Sequence, residues 1–416
     1  MKIIKEGSIW SYKDYLRLWV SGLLANIGAT AFPIALAVTI LDTGGDATSL
    51  GLILAARVLS GVLLAPVGGV WADRLPRKYV MIGADIFRAL LALILVFVAA
   101  PSIPLFVIAI LVFIMGAGDA FGAPAAAAIM PTILPTDKLP AGNVARGIVV
   151  KLASIVGPGI GGLSVIAIGG RLTFAVTTIF FAVGAYLLFP IVEPKYVKNV
   201  DAPKFFVDLK EGLKTVWSMP WVAAVIAMVS IQLMVVLGAE QVLLPIISRR
   251  EFGTDTVFAA SAALFSVGAV FSALLAMRYQ AKHPGLVSIS VWGILVVATL
   301  VLAFPISPTF VMVGYLIAGL SVGPWDAYWV TAIQREIPQE LQGRVFSIDH
   351  MGSVGLLPLG MALVGPAVNL VGEKELLIGA SIFHVVACIA VLFVPGVIDL
   401  KMPKKANYSQ GEHPKA

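Results

Sequence analysis

The sequence predicts an all-α membrane protein: twelve transmembrane helices in two pseudo-symmetric six-helix bundles. Three observations carry that prediction. Of 416 residues, 59% are hydrophobic and only 12% charged, where a soluble domain carries about 25% charge. Mean hydropathy is +0.97, which excludes a soluble enzyme with a solvated surface. The apolar residues fall in runs of about 20 or more, the length an α-helix needs to cross roughly 30 Å of hydrocarbon. A polar stretch at 192–218 then splits the chain near its middle. Lipid leaves backbone N–H and C=O groups no water, so each run must be helical, and the alternating pattern of an outer-membrane barrel is absent.

Windows of about 19 residues place helices at 15–41, 48–71, 79–100, 103–130, 142–168, 171–191, 219–247, 255–277, 284–305, 308–334, 339–369 and 373–396. An even count puts both termini on one side. Lys2, Lys5, Lys13 and Arg17, then Arg74, Arg77 and Lys78, then Lys138, Arg146 and Lys151 alternate with loops at 42–47, 101–104 and 168–171 that offer only Arg171. Basic loops stay inside, so both termini are expected in the cytoplasm. Arg249 and Arg250 dissent, falling on the outer side. The expected organisation is a first bundle at 1–191, a cytoplasmic linker at 192–218 with a short amphipathic helix, a second bundle at 219–400 and a polar cytoplasmic tail at 401–416. The first fourteen residues lack a signal peptide's apolar core and cleavage site, so they are expected to stay. The net charge of +6 is read as attraction to anionic lipid, with no need for nucleic acid. Cys388 stands alone and is expected to be packing filler. No cofactor and no metal are expected, and a monomer suffices.

Two echoes lie about half a chain apart. A helix end followed by Pro135 and Leu139 matches one followed by Pro338 and Leu341. Gly28-Ala29 before Pro33-Ile34 matches Gly238-Ala239 before Pro245-Ile246. Parallel halves with a site between them at mid-membrane are one transporter architecture. The turn Gly69-Val70-Trp71-Ala72-Asp73-Arg74-Leu75-Pro76-Arg77-Lys78 resembles the signature loop of the major facilitator superfamily at every charged position, with Pro76 where the pattern has glycine. The resemblance implies that Asp73 latches the outward-facing state against the eleventh helix, with Gly69, Arg74, Arg77 and Lys78 as the rest of the latch. In the fifth helix, Gly157-Pro158-Gly159-Ile160-Gly161-Gly162 resembles the Gly-Pro-x-x-Gly-Gly antiporter motif of that superfamily's exporters. Ala55 to Leu59, Asp85 to Leu91, and Ile337-Pro338 with Leu341 to Ser347 look like the bacterial branch that holds the enterobactin exporter and macrolide-efflux proteins. That resemblance implies export of a siderophore or drug and does not fix the cargo.

Charges inside the membrane cost about 2.5–3.5 kcal/mol each on insertion scales, so each needs a partner or a purpose. Asp119, Glu240, Asp326 and Asp349 are the proton-coupling candidates, since a partly desolvated carboxylate can load and release a proton as access alternates. Arg57, Asp85 and Arg88 are the intramembrane charge partners, and pairing of Asp119 or Asp326 with Arg57 or Arg88 is the competing structural expectation. Trp325, Tyr328 and Trp329 span one helical turn and, with Phe32 and Gln232, could line an amphipathic drug pocket; belt or core is the alternative. His350 and His384 could titrate near neutrality, or sit buried and hydrogen-bonded. No nucleotide-binding Gly-x-x-x-x-Gly-Lys-Ser/Thr loop and no His pair at metal-binding helical spacing occurs, so an ion gradient is the expected energy source. Proton-coupled efflux of an amphipathic compound is the leading expectation. Uptake of a nutrient, or transport of a lipid-like cargo, stays open.

Overall fold

The computed structural model describes residues 8–100, 102–193, 205–278, 281 and 283–398; the expected tail at 401–416 and residues 194–204 of the linker lie outside them. Among the described residues every regular element is helical. In order they are α1 (Lys13–Asp42), α2 (Ala47–Arg74), α3 (Arg77–Val98), α4 (Leu105–Ile133), α5 (Leu139–Leu188), α6 (Phe205–Ser218), α7 (Pro220–Gln232), α8 (Gly238–Phe252), α9 (Thr256–Arg278), α10 (Pro284–Trp292), α11 (Val296–Ala303), α12 (Pro308–Gly319), α13 (Val322–Glu336), α14 (Gln339–Gly355), α15 (Leu357–Val371) and α16 (Glu373–Leu392). A π-turn at Leu233–Leu237 joins α7 to α8 and a 3₁₀ turn at Gly293–Leu295 joins α10 to α11.

Eleven helices among the described residues are long and apolar enough to cross a membrane, one fewer than the expected twelve. The difference lies in Thr136–Leu188, a single stretch of 53 residues. At about 1.5 Å per residue that is roughly 80 Å, more than two crossings of a 30 Å core. Gly169, at φ 82° and ψ 163°, breaks the helical path in its middle, so the chain turns without a loop where two separate helices were expected. The chain is a multi-pass membrane protein.

Local chemistry sets the helix ends. Asp46 accepts from the Ser49 amide at 2.9 Å while Ser49 Oγ accepts from the Asp46 amide at 2.8 Å, a reciprocal cap that starts α2. Hydrogen bonds from the Ser49 amide and hydroxyl hold the Asp46 carboxyl below its usual range. Glu193 caps α3 from beyond α5, accepting from the Arg77 amide at 3.2 Å and the Lys78 amide at 3.0 Å, where a helix N-terminus favours a carboxylate.

The N-terminal half packs as α1 on α5, α2 on α4, and α3 on both α4 and α5. In the C-terminal half, α9 packs on α12 and α13, α11 on α16, and α6 lies against α14. The halves meet along two seams, α2 on α15 and α5 on α9. Glycines bring the backbones together there: a Cβ on Gly51 would stand 2.1 Å from the Met361 carbonyl oxygen, and one on Gly365 2.2 Å from Thr48 Oγ1.

The outlying Arg249 and Arg250 find their reason at this end of the bundle. Arg249 binds Asp255 at 2.6 Å and reaches across to Asp42 at 2.6 Å and to the Val38 carbonyl at 3.3 Å. Arg250 pairs with Glu373 at 2.7 Å and Glu251 at 2.8 Å. Both arginines are neutralised by nearby acids, and Arg249 ties the two halves together.

Candidate functional site

A cavity of about 350 Å³ lies between the halves. Its walls are the two segments that echo one another in the sequence: Ala29, Thr30, Pro33 and Ile34 of α1 face Leu237, Glu240, Gln241 and Leu244. Leu54 of α2, Ser154 and Pro158 of α5, Phe258 and Phe265 of α9, and Tyr315 of α12 also line it.

Proline shapes this wall, because it cannot donate to the carbonyl four residues before it. Pro158 frees the Ser154 carbonyl, and Ser266 of α9 donates to it across the seam at 2.6 Å. Pro33 frees the Ala29 carbonyl, and Arg57 of α2 turns two guanidinium nitrogens toward it at 3.4 and 3.5 Å. Each bend is held by a side chain from another helix.

The antiporter-like glycines make close approach possible. A Cβ on Gly157 would meet Thr30 Oγ1 at 1.9 Å, one on Gly161 would meet Ala31, and one on Gly162 would meet the Ala259 Cβ at 2.3 Å. Gly157 and Gly161 therefore seat α5 on α1, while Gly162 seats it on α9 of the other half.

Glu240 is the charged residue of the cavity wall. It is 4% exposed, and its Oε1 has no hydrogen-bond partner. The other candidate acids are held. Asp119 accepts from Arg57 at 3.1 Å and from Arg88 at 2.9 Å, and Arg88 also binds Asp85. Arg57 lies over the Phe32 ring at 4.9 Å and Arg88 over the Phe181 ring at 4.7 Å. Room for the two arginines comes from the glycines before Asp119: a Cβ on Gly116 would meet the Arg57 carbonyl at 2.3 Å, and one on Gly118 the Arg88 side chain at 2.7 Å. This four-residue ion-pair chain joins α2, α4 and α3. It borders a second cavity of about 330 Å³ that runs from Asp119 to Tyr15, Met130 and Arg146. Asp349 accepts from Trp329 Nε1 at 2.9 Å; Asp326 is half-buried on α13 and is itself engaged.

We expect Asp119→Asn to lower stability by about 3 kcal/mol, because it strands Arg57 and leaves Arg88 with Asp85 alone in a low-dielectric interior. Thermal unfolding in detergent checks this; an unchanged midpoint would show that Arg57 and Arg88 find other partners.

The expected aromatic pocket does not form as one site. Phe32 is fully buried in the N-terminal core against Phe174 and beneath Arg57. Gln232 is buried in the C-terminal core, accepting from Trp292 Nε1 at 2.7 Å and donating to the His384 carbonyl and to Cys388 Sγ. Trp325 and Trp329 stack at 5.8 Å, with Trp221 and Trp292 flanking them. Trp221, Trp325, Tyr328 and Trp329 line a crevice of only about 20 Å³, too small for a drug. Helices apolar on every side gave no face by which to tell core from cavity. Tyr315, which does line the cavity, lay in an unbroken apolar run and carried no such signal.

The chain matches the family described as Major Facilitator Superfamily over residues 18–355. The chain belongs to the major facilitator superfamily. Among its relatives, the multidrug efflux pump Tap of Mycolicibacterium fortuitum is 26% identical over 94% of this chain and 98% of its own length. Macrolide efflux protein A of Streptococcus pyogenes is 25% identical over 92% and 95%. Solved structures share the fold: a D-xylose-proton symporter at TM-score 0.72 and 11% identity, over 94% of this chain and all of that one, and the nucleoside transporter NupG at TM-score 0.69 and 13% identity, over 93% and all of that chain.

The superfamily's signature loop is partly visible here. Gly69, Asp73 and Arg74 lie at the end of α2, with their side chains outside the described ones; so are those of Arg344 and His350. Arg77 pairs with Glu193 at 3.9 Å, and Lys78 donates to the Phe189 carbonyl at 2.6 Å, so both are engaged within the N-terminal half. Superfamily membership also bears on Gly319-Leu320-Ser321-Val322-Gly323, which has the spacing of a hydrolase nucleophile turn. Ser321 is fully buried and donates to the Ala318 carbonyl at 2.7 Å, at the bend between α12 and α13.

Proposed function

We propose that this protein exports a small amphipathic compound, of drug or siderophore type, in exchange for protons by alternating access. The observation that carries the reading is Glu240: a buried carboxylate without a cation, in the wall of a cavity between two halves. Such a group can bind a proton when the cavity faces one side and lose it when the cavity faces the other. The efflux relatives and the glycine-proline seam support the outward direction.

In this reading the bundles 1–191 and 219–400 rock about the cavity, joined by the 192–218 linker. The arginine- and lysine-rich loops support both termini in the cytoplasm, and the bacterial efflux relatives support an inner-membrane placement. The end sealed by Arg249 and Asp42 is then the outer face, and cargo loads from the cytoplasm. The working unit is a monomer whose partners are cargo, protons and surrounding lipid.

The test is proteoliposomes under an imposed pH gradient, with an internal dye reporting proton flux as macrolides, siderophores and lipophilic cations are added. Flux evoked by one of them, opposite in direction to cargo movement, is the expected result. Co-directional movement of proton and cargo would replace export by uptake, and silence toward all of them in a folded, oriented preparation would remove the proton.

A further inference from the structure

The cavity between the halves holds a second polar group that the proton-exchange reading does not use. Tyr315 of α12 is 4% exposed, like Glu240, and its hydroxyl has no hydrogen-bond partner. The Phe265 ring meets the Tyr315 ring edge-on at 6.5 Å and 62°, which fixes the phenol against the cavity wall. Of the other polar groups of the wall, the Thr30 hydroxyl donates to the Ala153 carbonyl at 2.9 Å and the Ser154 carbonyl is held by Ser266, while Gln241 stands beside Glu240. Two buried side chains with unmet hydrogen-bonding capacity therefore face one apolar space, a costly arrangement unless a ligand answers both.

We propose that Glu240 and Tyr315 form a two-point subsite for a primary or secondary ammonium: one N–H donates to the Glu240 carboxylate and another to the Tyr315 hydroxyl oxygen. The charge of the wall selects a cation, since Glu240 is its charged residue and no arginine or lysine among the described residues lines it. Pro33, Ile34, Leu54, Leu244 and Phe258 give apolar walls for the body of the ligand. A quaternary ammonium satisfies the charge and leaves Tyr315 unanswered, so the geometry discriminates between two cations of equal charge. This inference rests on the export reading only in taking the cavity as the cargo site.

The test is equilibrium binding in detergent without any gradient, using 4-phenylbutylamine and its trimethylammonium counterpart. The amine is expected to bind about tenfold more tightly, the worth of one hydrogen bond involving a charged group. Tyr315→Phe should erase that gap while leaving trimethylammonium affinity unchanged, and Glu240→Gln should weaken both cations. Equal affinities in the unsubstituted protein, a gap that survives Tyr315→Phe, or no binding of either probe would overturn the proposal. Should Glu240→Gln fail to fold, Tyr315→Phe decides alone. Because no gradient is applied, a failure of proton exchange leaves this result standing. Proton flux evoked by a compound without an amine would sink the subsite and spare the exchange.

Discussion

Glu240→Gln is expected to abolish gradient-driven export while leaving the protein folded. One pH unit corresponds to about 1.4 kcal/mol per proton, a factor of ten in concentration. At one proton exchanged per cargo molecule, a gradient of two units sustains about a hundredfold accumulation. An amide of the same shape carries no proton between the two sides, so accumulation should fall to about one. The substitution also removes a buried carboxylate that has no cation partner, and an uncompensated buried charge is costly. Thermal stability should therefore hold or rise. A loss of transport that came with a collapsed melting point would mark Glu240 as structural; retained accumulation at full gradient would place the proton on another acid.

Gly162→Val should be nearly as severe, by a different route. A Cβ there would stand 2.3 Å from the Ala259 Cβ across the α5–α9 seam, and that methyl has no rotatable side chain with which to yield. The seam cannot close around a valine, so the end sealed by Arg249 and Asp42 is expected to stay ajar. A state favoured by a few kcal/mol is populated at well over 90%, and a clash of this size reverses that preference. The readout is labelling of a cysteine introduced by Leu244→Cys, in the cavity wall, by an impermeant maleimide added outside; Cys388 is buried and provides the low background. Labelling should rise from near zero and transport should fall with it. Unchanged labelling would mean that the seam has slack the close approach does not suggest.

Much of this was legible in the residues. The apolar runs gave the helices, and the repeated glycine-then-proline segments pointed to two parallel halves with a site between them; that those segments themselves wall the cavity is a finding of the structure. Glu240 stood out because a carboxylate in an apolar run must have a reason. The ion-pair chain was half legible: Asp119 with Arg57 or Arg88 was one expectation, and the structure uses both at once. What could not be read was direction around a helix. In a membrane, lipid and protein interior are equally apolar, so nothing in the sequence tells that Gln232 turns into its own bundle while Tyr315 turns toward the cavity. Arg249 and Asp42 were equally opaque, since their meeting joins residues 207 apart in sequence. The loop rule that counts only arginine and lysine read a paired gate as an exception.

The two carbonyls released by Pro33 and Pro158 do not behave alike. The Ala29 carbonyl is answered by Arg57 from the same half, so it stays answered however the halves move. The Ser154 carbonyl is answered by Ser266 from the opposite half, and separating the seam strips it bare. Opening toward that side thus exposes an acceptor that water or cargo must quench, and an empty, dry cavity opens at a penalty that an occupied one escapes. A proline and a serine on facing helices give the machine a built-in brake on idling.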